Sequence, residues 1–126
     1  MKVIELVFKG RIPSKKNSRN IFVSKSGKRM NIPSKAYLDW HTKACLDIVN
    51  QMPDPLFDVS EVQLEFYMPD NRKCDLTNKA ESIMDLLVDV EILEDDSWQC
   101  VPSIMLTAKG VDKKNPRVKV WIRYED

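Results

Sequence analysis

A chain of 126 residues, 43% apolar and 31% charged with only three glycines, has the composition of one globular domain, which excludes fibrous and disordered classes. Its net charge of +1 conceals segregation: residues 1–35 carry ten Lys or Arg against Glu5 alone, residues 36–106 carry four against fifteen acidic residues, and residues 107–126 carry six against three. Such a distribution argues for a basic surface that meets an anion and for a separate acidic cluster.

Along the chain, KVIELVF (2–8) is rich in β-branched and aromatic residues with Ile4, Leu6 and Phe8 on one face, and it predicts a strand. The polar, basic RIPSKKNSRN leads into a short hairpin, NIFVSKSGKRMN, turning at Ser26-Gly27. A helix follows over about 34–50, with Ser34 as N-cap and Tyr37, Trp40, His41, Ala44 and Ile48 on one stripe; Pro53 and Pro55 end it. VSEVQLEFYM (59–68) alternates as a half-buried strand with Val62, Leu64, Phe66 and Met68 facing one way.

A second helix spans about 78–90, burying Ala80, Ile83, Met84 and Leu87 and leaving Glu81, Ser82, Asp85 and Asp89 on its polar side. Residues 100–108 and 117–124 read as two final strands joined by KGVDKKNP. The order β, hairpin, α, β, α, β, β predicts an α/β fold of the α+β type, a single domain over 1–126 with one mixed sheet flanked by two main helices.

Cys45, Cys74 and Cys100 are odd in number and widely spaced, so neither a disulfide framework nor a zinc site is expected, and a reducing cytoplasm is the expected compartment. The first apolar run is too short for a secretory signal, and none approaches the ~20 residues of a membrane span. His41, on the stripe of an amphipathic helix, reads as packed rather than catalytic. GxxxxGK[ST], GxGxxG and GxSxG are absent, which leaves carboxylates to carry chemistry.

Asp75 immediately precedes the second helix, and Asp95 and Asp96 follow it. A thirteen-residue helix is ~20 Å long and five extended residues reach ~17 Å, so these carboxylates approach one another only if the chain after the helix runs back along it. Two carboxylates ~4 Å apart repel by roughly 4 kcal/mol at an effective dielectric of 20, so a converged cluster calls for a cation or a shared proton. Oxygen ligands suit Mg²⁺ or Mn²⁺. A solvated acidic turn is the alternative for Asp95 and Asp96. For Glu81 the alternative is a capping-box partner of Asn78, three residues before it.

The succession MPD, RKCDLTNKAESIMDLL and LEDDSW, preceded by IPSKKNSRN, resembles the RusA family of Holliday junction resolvases, small endodeoxyribonucleases frequent in phages and prophages. The resemblance covers most of the chain. It implies a homodimer that cuts a four-way DNA junction symmetrically in recombination and repair, with Mg²⁺ or Mn²⁺ in each site. Asp75, Asn78, Asp95 and Asp96 match the family's motif. Its second aspartate falls on Thr77, and its helix lysine falls on Glu81, with Lys79 two residues away. Glu81 lies about one turn beyond Thr77 on the same face and is expected to replace the missing carboxylate, giving Asp75, Glu81, Asp95 and Asp96 as the catalytic and metal-binding set.

Lys15, Lys16, Asn17, Arg19, Lys28 and Arg29 of the basic loop, with Lys73 and Lys79 beside the acidic site, are the expected DNA contacts. The competing readings are a non-catalytic DNA-binding module on the same scaffold, in which Thr77 and Glu81 record a lost site, and a protein-interaction domain with an acidic helix face.

Overall fold

The computed structural model describes residues 1–14, 35–51 and 53–125, and the backbone of 19–23 and 29–33. Strand β1 (Lys2–Lys9) is followed by β2 (Arg19–Val23) and β3 (Arg29–Pro33), then helix α1 (Lys35–Ile48), strand β4 (Val59–Met68), helix α2 (Leu76–Asp89), and strands β5 (Ile104–Val111) and β6 (Arg117–Tyr124). This is the expected element order. The hairpin turn at Ser26-Gly27 and the Ser34 cap lie outside the described residues.

Strands β2 and β3 pair with each other, while the main sheet runs β1-β6-β4-β5, antiparallel except for the parallel β4–β5 pair. The sheet is therefore mixed, and the last strand of the chain pairs between β1 and β4 rather than beside β5. Period-two alternation puts Leu6, Phe8, Val62, Leu64, Phe66, Val118, Val120 and Ile122 on one face, each nearly inaccessible to water. Ala44 and Ile48 from α1, with Ile83, Met84 and Leu87 from α2, close the same core. One face of the sheet thus carries both helices, as an α+β layer pair requires. On the other face, half-buried polar residues pair across strands: Arg123 donates to Glu61, and the Arg117 guanidinium lies 3.7 Å from the Tyr67 ring centroid.

Helix α2 starts two residues earlier than its sequence pattern suggests, because Leu76 packs against the core and the extended Asp75 becomes the N-cap. Its end decides where the acidic segment goes. Val90 caps it, Glu91 turns left-handed at φ 63°, the Ile92 N–H bonds the Leu87 carbonyl at 3.0 Å and the Glu91 N–H bonds that of Val88 at 3.0 Å. These paired bonds form a Schellman motif, here without the usual glycine. Ile92 and Leu93 then plug into the core, so the chain after the helix folds back toward the sheet.

Strand β5 begins four residues later than expected. Residues 97–101 are occupied by a turn in which the Ser97 carbonyl accepts from the N–H groups of Cys100 and Val101, and the ladder opens where the Val62 N–H bonds the Ser103 carbonyl. The strand also runs three residues longer, past a register shift where Gly110, at φ 114°, comes to face Tyr67. A left-handed backbone at that shift suits glycine.

Candidate active site at the start of the second helix

The loop between β4 and α2 is held by Asp70. Its carboxylate accepts the Arg72 N–H at 3.0 Å and a bond from the Arg11 guanidinium, and these hydrogen bonds hold it below the usual carboxylate range. Asp75 follows at the N-cap of α2. Its exposed side chain makes no capping bond and instead accepts from Asn78 Nδ2 at 3.2 Å. An aspartate at this position with its carboxylate turned outward is available to a ligand.

One helical turn on, Thr77 and Glu81 share a face of α2. The folded-back segment brings Asp96 to them. Thr77, Glu81 and Asp96 line one cavity of about 290 Å³, closed on its apolar side by Ala80, Met84, Ile104 and Leu106. Asp95 is exposed beside Asp96, and neither Asp75 nor Asp95 forms part of that wall. No three of Asp75, Glu81, Asp95 and Asp96 bring carboxylate oxygens mutually within 4.8 Å. The donors are all oxygens on exposed side chains, a chemistry that fits a hard divalent cation better than a soft one.

The capping reading of Glu81 does not survive the position of the helix start. With Asp75 as N-cap, the third helical residue is Asn78, and Glu81 lies a turn too far along to reach the cap backbone.

A family model for the endodeoxyribonuclease RusA matches residues 12–123. The chain belongs to the RusA family. None of the curated proteins compared with it matches. Membership agrees with the resemblance carried by the acidic motifs and makes endodeoxyribonuclease the activity class. No helix among the described residues is long and apolar enough to cross a membrane.

On this RusA-family scaffold the side of α2 away from the carboxylates holds the stem of the basic loop. Lys79 and Ser82 were expected at the surface, and both are buried. The Lys79 ammonium donates to the Ile12 carbonyl, and Ser82 Oγ donates to the Pro13 carbonyl at 2.7 Å. With the Arg11–Asp70 ion pair, three consecutive residues are fastened to the site loop and the first turns of α2. Lys79 stands roughly half a turn around the helix from Thr77 and Glu81. A sequence signal existed: Lys79 is spaced four and seven residues before the buried Ile83 and Leu86, which places it on the apolar stripe.

Lys73 is exposed. Lys15, Lys16, Asn17 and Lys28 lie outside the described residues, as do the side chains of Arg19 and Arg29.

Burial pushes the Lys79 ammonium below its ordinary value of 10.5. Its folded pKa is therefore lower than its unfolded one. Between the two the unfolded chain binds more protons, and stability rises with pH through that alkaline window. Replacing Lys79 by Met should flatten this limb, which urea denaturation of both proteins at a series of alkaline pH values measures. An identical alkaline slope in the variant would place the ammonium in water.

Proposed function

We propose that this chain is a divalent-metal-dependent endodeoxyribonuclease that resolves four-way DNA junctions by paired cuts, with Mg²⁺ or Mn²⁺ held by carboxylates from the set Asp75, Glu81, Asp95 and Asp96. The observation that supports it best is the shared wall of Thr77, Glu81 and Asp96, because only a fold that returns the chain along α2 places those side chains together. A cation bound there would activate water and stabilise charge on the scissile phosphate.

The chain's own residues supply the rest. Asn78 orients the Asp75 carboxylate. Glu81 provides the carboxylate that Thr77 lacks. Arg72 and Lys73, exposed just before Asp75, offset the repulsion between an acidic site and a polyanion. The tethered stem of residues 11–13 starts the basic loop beside the first turns of the same helix. Two symmetric cuts require two sites, which a homodimer supplies.

The direct test is cleavage of a synthetic four-way junction, labelled on each strand in turn, with Mg²⁺, Mn²⁺ or EDTA. Paired nicks that depend on the metal are expected. Junction binding without cleavage in either metal would favour the second reading, a non-catalytic junction-binding protein, to which Thr77 in place of an aspartate lends support.

The basic loop makes its own expectation. Replacing Lys15 and Lys16 together by Ala should weaken binding to every DNA shape and flatten the log–log salt dependence by up to about two units. Fluorescence anisotropy across a salt series reads this directly, and an unchanged slope would remove these lysines from the phosphate contacts.

A further inference from the structure

The two helices meet through a polar seam that the acidic end of α2 does not use. Tyr37 Oη donates to Asp85 Oδ2 at 2.6 Å, and His41 Nε2 lies 2.9 Å from Asp89 Oδ2. Both pairs are separated by 48 residues, so α1 and α2 run side by side in the same direction, and the His41–Asp89 pair stands one turn beyond Tyr37–Asp85. The result is a convergence of ligand types: one atom each from His41, Asp85 and Asp89 lies within 4.8 Å of the other two.

We propose that His41, Asp85 and Asp89 form a second metal site, which takes a borderline divalent transition ion and clips α1 to α2. Three features carry this. First, Asp85 and Asp89 are like charges four residues apart on one helix face, an arrangement that costs stability unless a cation lies between them. Second, the His41 nitrogen and the Asp89 oxygen lie 2.9 Å apart, a hydrogen-bond spacing that needs to open only to the ~3.3 Å donor separation of a tetrahedral site to admit a cation.

Third, neighbouring side chains hold the ring and one carboxylate in place. His41 Nδ1 is 3.6 Å from Cys45 Sγ, which leaves Nε2 as the ring nitrogen that meets the carboxylates. Tyr37 fixes Asp85 by its hydroxyl bond and stacks obliquely on the His41 ring at 5.8 Å between centroids. One imidazole with two carboxylates favours Zn²⁺, Co²⁺ or Ni²⁺ over Mg²⁺, unlike the all-oxygen donors at the other end of α2.

The test is calorimetric titration of Zn²⁺ into the full chain, with excess Mg²⁺ present to compete at the carboxylate-only site. One Zn²⁺ per chain is expected to bind. His41→Gln and Asp89→Asn should each weaken it by at least about tenfold, while Asp75→Asn leaves it unchanged; the site therefore stands or falls separately from the proposed nuclease centre. Zn²⁺ should also raise the melting temperature of the wild-type chain and not that of His41→Gln, by preferential binding to the folded state. Melting of each variant without metal confirms that it folds, since His41 and Asp89 are partly exposed. Zn²⁺ binding that ignores His41→Gln and Asp89→Asn, or that disappears with Asp75→Asn, would overturn the proposal. So would the absence of Zn²⁺ binding, which would leave the seam as a His41–Asp89 contact between the helices.

Discussion

Asp75→Asn should lower junction cleavage by about three orders of magnitude while leaving junction binding and fold stability nearly unchanged. The size follows from the loss of a charged metal ligand, worth several kcal/mol at the transition state, at 1.36 kcal/mol per tenfold in rate. The selectivity follows from the structure. Asp75 is exposed, its carboxylate caps nothing, and asparagine serves equally well at an N-cap, so the helix loses no stabilising bond. Removing a negative charge beside Arg72 and Lys73 should, if anything, tighten DNA binding slightly. Single-turnover cleavage, anisotropy and urea denaturation on one preparation separate the three quantities. Cleavage near the wild-type rate would remove Asp75 from the site.

The second large effect concerns Glu81. Glu81→Gln keeps length and hydrogen-bonding capacity but removes the charge, and it should reduce cleavage by roughly 10²-fold, near 2.7 kcal/mol at the same conversion. Because α2 begins at Leu76, the side chain has no cap to lose, and its exposure leaves little stability at stake. Thr77→Asp supplies the converse measurement. Thr77 stands one turn before Glu81 on the wall that also holds Asp96, so an aspartate there should partly rescue Glu81→Gln. Rescue implies that the two positions serve one cation, and a double-mutant comparison of cleavage rates quantifies it. Full activity in Glu81→Gln would confine the site to Asp75, Asp95 and Asp96.

Local pattern in the chain was enough for the elements and for the acidic motif. The alternation of residues 59–68 requires a half-buried strand, and the spacing of Ala80, Ile83, Met84 and Leu87 requires a helix with one apolar stripe, because both depend on neighbours no more than a turn away. Asp75 before that helix and Asp95-Asp96 after it were visible for the same reason. Which side chains the segment after the helix would meet was not. That was decided by the left-handed Glu91 and by Ile92 and Leu93 entering the core, a reversal with no glycine to announce it.

The burial of Lys79 and Ser82 likewise needed acceptors from Ile12 and Pro13, 67 and 69 residues away, since a polar group enters a core only where a distant carbonyl meets it. The pairing of His41 with Asp89 has the same origin. Sequence periodicity placed His41 on the inner stripe of α1, but the carboxylate it faces was selected by the way two helices lie side by side on one sheet, and packing of that kind is a property of the assembled fold.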